Sequence, residues 1–363
     1  MYAPQSLHDL LFLMLYGGVA MLAFAAGLYL WLRRSNAIAP AVTPPRVLRR
    51  WTAAFFMMAA ASHVWWYVIG IYWLADDRLV RNILCIMLDH ITLVPLAMAL
   101  LLRILQDCQH RIWPWVTTQA LVIGGAAVGI ATHSNYGLDL MHNCQVVIIA
   151  IFITYYIYEL VRYSRWLKEN YADLEHKEVW QSLLFAAALF LIYEVYSTNP
   201  GDMPREYLSQ IITLFIIVFL LWRVETLQEL EVKEETETPY ATIPTNIGAL
   251  LQEYCEMPQL YLQHDLTLAQ LGEAVGTNRT YLSQYFSQQG ITYNAYVNRL
   301  RIVHFERLYR ESVVAKRTFT AQQLAHECGF RSYSTFAAAF KQFKGLTVTS
   351  WMRCQMPDSQ NFQ

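Results

Sequence analysis

Two short runs of the chain, NRTYLSQYFSQQ (278–289) and SYSTFAAAFKQF (332–343), carry side chains suited to touching nucleic-acid bases. In each, large apolar residues four apart, Leu282 with Phe286 and Phe336 with Phe340, predict a helical face turned inward, and Phe343 is expected to continue the second. Arg279, Thr280, Tyr281, Ser283 and Gln284 then face outward on the first helix, and Ser332, Tyr333, Ser334, Thr335, Ala338 and Lys341 on the second. Hydroxyls and Gln can hydrogen-bond base edges, Ala and Thr methyls can touch thymine, and Arg can hold guanine through two parallel hydrogen bonds. Arg299, Arg301, Arg307, Lys316, Arg317 and Lys344 are expected to add affinity at phosphates. The competing use of such a face is to bind a protein.

A second set of candidates lies in apolar surroundings. His63, Asp89, His90, His142 and Glu194 sit within or at the edges of long apolar runs, where an ionisable group is costly enough to mark function. Helix-to-helix hydrogen bonding is their commonest use. A ligand or proton-sensing pocket is the second, and a metal site the weakest, since Asp89 and His90 are neighbours about 100° apart on a helix. Glu159 and Arg162 read as an intrahelical pair. No HExxH, GxSxG or phosphate-cradling glycine loop is present. The expectation is therefore no catalytic residue, no metal and no cofactor, with the six cysteines, which lack CxxC spacing, as unpaired thiols.

These residues need two unlike scaffolds. With 55% hydrophobic and 15% charged residues, the chain is too apolar for a single soluble domain. Seven apolar runs, at about 7–32, 51–74, 82–102, 113–132, 140–163, 179–197 and 207–224, each approach the roughly 20 residues that cross a bilayer. Loop Lys and Arg divide 12 to 3 between the two sides, predicting the amino terminus outside and the carboxyl terminus in the cytoplasm. The fold expected is all-α: a seven-transmembrane-helix bundle over 1–224, an acidic linker over 225–242, a cytoplasmic domain of two helix-turn-helix units over 243–355 and a tail over 356–363. The linker holds six Glu against one Lys, and Val224, Leu227 and Leu230 suggest that the seventh helix continues into it; a two-stranded coil there competes with a solvated spacer.

The cytoplasmic part contains an internal repeat. Leu271 precedes Gly276 as Leu324 precedes Gly329, and Asn278 and Ser332 are each placed to cap the following helix. From Arg279 to Arg353, 11 positive side chains face three Glu, the charge expected of a phosphate-binding surface. The segment 292–310 reads as a connector helix about 27 Å long, with one apolar stripe of Ile302, Phe305 and Leu308 and another of Tyr296, Leu300 and Val303. His264, His304 and His326 are read as surface or core-edge residues.

Leu266, Leu268, Leu271, Gly276, Tyr281, Leu282, Ser283 and Phe286, then Gly290, Tyr296, Asn298, Arg299, Leu300 and Arg301, then Leu324, Ala325, Gly329, Phe330, Phe336, Phe340, Lys341, Gly345 and Thr347 make residues 245–353 resemble the DNA-binding domain of AraC-type bacterial regulators. Gly272, Val348, Trp351 and Met352 depart from that family's usual residues, and the first 224 residues do not match its usual soluble sensory domain. The resemblance implies a seven-helix domain that binds double-stranded promoter DNA. The expected function is a membrane-embedded transcription regulator, with the bundle as sensor or anchor. Its expected partners are DNA, the lipid bilayer of the cytoplasmic membrane, RNA polymerase, a second copy of the chain and an unidentified signal ligand. The alternative is a membrane enzyme or transporter with a regulatory cytoplasmic domain.

Overall fold

The structure, a computed structural model, describes residues 7–40, 42–69, 76–197, 203–230 and 246–355. The protein is all-α, and it divides into two compact units: residues 1–163 with 179–232, and residues 164–178 with 233–363.

Among its described residues the first unit contains seven helices: α1 (Leu7–Leu32), α2 (Arg46–Val68), α3 (Arg78–Ile104), α4 (Trp113–Thr132), α5 (Tyr136–Asn170, its last turns belonging to the second unit), α6 (Ser182–Ser197) and α7 (Met203–Thr226). Each predicted apolar run corresponds to one of them. α1, α3, α4, α5 and α7 are long and apolar enough to cross a membrane. α2 and α6 do not meet that measure: α6 has 16 residues, and His63 with Trp51, Trp65, Trp66 and Tyr67 keep α2 below the required hydropathy. α1 packs on α2 and α7, α3 on α2, α4 and α6, and α6 on α7. Phe56, Ile83, Leu100, Phe152 and Phe185 are buried between them. Ile211, Phe215, Val218 and Trp222 on α7, and Val147, Ile151, Tyr158 and Val161 on α5, instead form exposed apolar stripes at helical spacing. An apolar face turned outward is what a lipid-facing helix needs.

α7 stops at Thr226, short of the extension expected into the linker. Val224, Leu227 and Leu230 are buried, but the last two lie on non-helical chain. The Glu229 N–H donates to Thr43 O at 2.8 Å, and the Leu230 N–H to Gln106 Oε1 at 3.0 Å. Glu225, expected in a solvated linker, is 1% exposed. Its carboxylate accepts from the Ala37 and Ile38 N–H groups, from Tyr29 Oη and from Arg49 Nη1, the last at 2.9 Å. Local backbone donors and Arg49 therefore satisfy the first charge of the acidic run, and the helix ends against them. Most of the linker, 231–242, lies outside the described residues, as does the tail 356–363.

In the second unit, α8 (Ile247–Leu251), a π turn and a 3-10 turn lead into α9 (Leu268–Val275), α10 (Arg279–Gln288), α11 (Tyr293–Val314), α12 (Ala321–Glu327), α13 (Tyr333–Lys344) and α14 (Val348–Gln355). It has two cores. One gathers Leu266, Leu271, Leu282, Phe286 and Val297; the other gathers Ile302, Phe305, Leu324, Phe336, Phe340 and Trp351. α11 contributes to both, as a connector should. It is longer than expected, with 22 residues spanning ~33 Å. Val303 is half exposed, because the second connector stripe is set by Tyr293, Val297, Tyr296 and Leu300 instead.

Candidate nucleic-acid interface

The two helix-turn-helix units, α9–α10 and α12–α13, are built with the same local devices. Thr267 and Gln270 form a capping box at the start of α9, and Thr320 and Gln323 repeat it at α12. This T-x-x-Q pair extends the internal repeat, and it was legible in the sequence although the Leu and Gly spacing alone suggested the units. Gly276 ends α9 at φ 76°, a left-handed conformation suited to glycine. Gly329 has φ 89°, and a β-carbon there would stand 2.6 Å from Leu262 O. The turn of the second unit therefore has no room for a side chain.

The second helix of each unit is capped as expected. Asn278 Oδ1 accepts from the Tyr281 N–H at 2.9 Å, and Ser332 Oγ from the Thr335 N–H at 3.3 Å. Leu282, Phe286, Phe336 and Phe340 are fully buried. Phe343 is not: it is 45% exposed, one turn beyond the core, with the Lys344 ammonium over its ring.

The predicted base-reading residues lie on the opposite face. Thr280 and Gln284 are exposed, and Arg279, Tyr281 and Ser283 half-buried along α10; Tyr333, Ser334, Ala338 and Lys341 are exposed, and Thr335 half-buried, along α13. The Ser332 hydroxyl is committed to its cap, and it lies 3.0 Å from both Ser334 Oγ and Thr335 Oγ1.

The predicted phosphate contacts separate into three kinds. Arg299, Lys316 and Arg317 are exposed. Arg307 is exposed beside Glu311 at 3.8 Å, and Lys344 pairs with Glu306 at 2.7 Å. Arg301 is a correction: it is 1% exposed and donates to the carbonyls of Tyr261 and Gln263, both at 2.7 Å. Burial lowers its pKa, and its role is to tie the turn before α9 to the connector. Charge alone could not distinguish it from Arg299, two residues away.

Arg331 was not singled out in the sequence. It is exposed just before the cap of α13, where its guanidinium pairs with Asp265 and lies 4.0 Å from Asp173. His304 is buried, with Nδ1 3.1 Å from both Tyr261 Oη and an Arg307 Nη2 donor. Burial, and then the Arg307 charge, lower its pKa. Burial also pushes the Cys255 thiol up to about 11 and the Cys328 thiol up to about 12, so both serve as core residues.

In the first unit, His63, Asp89 and His90 line one cavity of about 200 Å³ among Phe55, Phe152, Phe190 and Ile217. Asp89 accepts from Ser62 Oγ at 2.6 Å and Trp66 Nε1 at 2.8 Å. His63 Nε2 lies 3.1 Å from Gln210 Oε1, so helix-to-helix bonding accounts for part of this cluster. His90 Nδ1 is held by Ile86 O, while its buried Nε2 has no hydrogen-bond partner among the described residues. His142 and Glu194 do not line the cavity; His142 stacks on Tyr193, which does. Elsewhere, Asp107, Cys108 and His110 bring one potential ligand atom each within 4.8 Å of one another. Arg162 stands 3.5 Å from both Asp107 and Cys108 and places a positive charge at that group.

A helix-turn-helix domain family profile matches residues 271–353. An uncharacterized HTH-type transcriptional regulator of Staphylococcus aureus strain COL is 30% identical over 98 residues, which is 27% of this chain and 12% of that protein. A probable transcriptional regulator of Photobacterium leiognathi, LumQ, is 31% identical over 103 residues, 28% of this chain and 38% of the relative. The chain thus spans about 12% of the length of the staphylococcal relatives it matches. No solved structure matches it.

Proposed function

We propose that the chain is an AraC-type transcription regulator embedded in the cytoplasmic membrane, with its amino terminus outside and its DNA-reading domain in the cytoplasm. The helix-turn-helix domain and the relatives named as transcriptional regulators support a DNA-binding transcription regulator. The observation that carries the finer reading is the pair of equally built units, in which α10 and α13 are capped, buried on one side and lined on the other by groups that can bond base edges. The five long apolar helices support the membrane placement, and the 12-to-3 division of basic loop residues supports the orientation. In this reading the protein acts by binding promoter DNA, recruiting or excluding RNA polymerase, and it is not an enzyme.

The bundle acts as the sensor. His63, Asp89 and His90 border a cavity small enough for one compact ligand, and the unpartnered His90 Nε2 gives such a ligand a polar group to meet. The test is genome-wide DNA occupancy of the full-length protein with its membrane fraction followed in parallel. Discrete peaks from membrane-bound protein are the expected result; absence of sequence-dependent occupancy would overturn the reading.

A further inference from the structure

Residues 164–178, the last turns of α5 and the chain that leaves it, belong to the second unit. Ala172 is 1% exposed within the core of the first helix-turn-helix unit, beside Leu266 and Leu271. Its N–H donates to Leu266 O at 3.2 Å, and Tyr171 forms an antiparallel bridge with Thr267, the cap of α9. Asn294, at the start of the connector α11, donates through Nδ2 to Ala172 O at 2.7 Å and to Tyr171 O at 3.3 Å. A segment distant in sequence therefore supplies both core volume and backbone pairing to the DNA-reading unit.

Its charges reach the other helix-turn-helix unit. Asp173 is 2% exposed; Oδ1 accepts from the Glu175 N–H, while Oδ2 lies 4.0 Å from Arg331 Nε and has no hydrogen-bond partner among the described residues. Lys177 is also 2% exposed, with Nζ 3.7 Å from Asp265, the carboxylate that bonds Arg331. Arg331 immediately precedes the cap of α13, the region of a helix-turn-helix unit that approaches the phosphate backbone. A carboxylate and a phosphate compete for one guanidinium. In the docked arrangement Arg331 faces Asp173 and Asp265, and Lys177 helps fix Asp265 in place.

We propose that residues 164–178 form a docking strap on the DNA-reading unit that holds Arg331 among carboxylates and so keeps DNA affinity low, and that loosening the strap releases Arg331 to a phosphate. This rests on the DNA-binding function proposed above. It adds a route for signals: the strap is the direct continuation of α5, so a change in that helix reaches the reader without passing through residues 231–242. Ala172 and Asn294 fix where the strap docks; Asp173 and Lys177 set what docking does.

The experiment uses the full-length protein in lipid nanodiscs and a pool of randomised 40-base-pair duplexes, with affinity measured from 50 to 200 mM salt. Asp173→Asn keeps the size of the side chain and the hydrogen bond from Glu175 while removing the charge. It is expected to raise affinity a few-fold, because one of the two carboxylates facing Arg331 is neutralised and only the half-exposed pair with Asp265 still competes with a phosphate for the guanidinium. It should also steepen the slope of log affinity against log salt by about 0.9, the effect of one further neutralised phosphate. Ala172→Asp, which places a charge in a closed slot, should act in the same direction and also speed hydrogen exchange at the residue 172 amide. In an Arg331→Ala background neither change should alter the slope. Unchanged affinity and slope for Asp173→Asn, or equal weakening with and without Arg331, would overturn the proposal and leave the strap a purely structural prop. Failure of the wild-type protein to bind any duplex, even at 50 mM salt, would instead overturn the DNA-binding reading beneath it.

Discussion

Arg301 and Arg299 differ by two positions in sequence and by everything in environment. Arg299 is exposed, whereas Arg301 is closed in by the backbone carbonyls of the turn before α9. Arg301→Met should lower the stability of the DNA-reading unit by about 2–3 kcal/mol, the scale of leaving buried carbonyls unpaired, and leave the salt dependence of DNA binding unchanged. Thermal unfolding and a salt titration separate the two effects. Gly329→Ala should cost at least about 2 kcal/mol, because the new β-carbon meets the Leu262 carbonyl in a left-handed turn. His304 gives a pH signature. Its folded pKa lies below the ordinary 6.5, since burial and Arg307 oppose the charged ring, so its contribution is intact above about pH 6.5 and is lost as pH falls toward the lower folded value. Protonation would also remove the lone pair that accepts from Tyr261 and Arg307. Unfolding measured at pH 7.5 and pH 5.5 should show the acid loss, and His304→Asn should flatten it.

The helices divide the labour that the side chains carry out. Tyr333→Ala or Lys341→Ala on α13 should weaken binding to a selected duplex by about tenfold or more and relax its sequence preference, while Arg299→Ala should weaken all duplexes alike and reduce the salt slope by about 0.9. Competition assays with mutated duplexes distinguish these outcomes. All seven apolar helices among the described residues, and the second helix of each helix-turn-helix unit, were legible in the sequence, since burial against lipid or core imposes long apolar runs or a 3.6-residue period. The starts of helices were less so: α2 begins at Arg46, not near Trp51, because Arg49 is drawn inside by Glu225 and does not end the helix. The polarity of Asn170, Asp173 and Lys177 made the strap look like an ordinary loop, and no local pattern reveals that its partners are Asp265, Asn294 and Arg331. Local periodicity encodes elements; it does not encode which distant surface a polar loop meets.

At the scale of the molecule, the chain joins a bundle with outward apolar stripes to a unit whose outward helices are polar. A reporter fused to the carboxyl terminus should be active only in a cytoplasmic assay; activity outside the cell would reverse the proposed orientation. His90→Ala should alter the response of a reporter gene in cells while leaving duplex affinity in nanodiscs within about twofold, because the cavity and the reading helices belong to different units. The closure of α7 sets a condition on any such response. Drawing Glu225 out of its backbone donors would strand Arg49 as a buried, uncompensated charge, a cost of about 3–5 kcal/mol. Spontaneous release would then occupy from about one molecule in 150 to about one in 5,000. The end of α7 is in that sense a mechanical detent, holding Glu225 and Leu230 in place against fluctuations smaller than this cost.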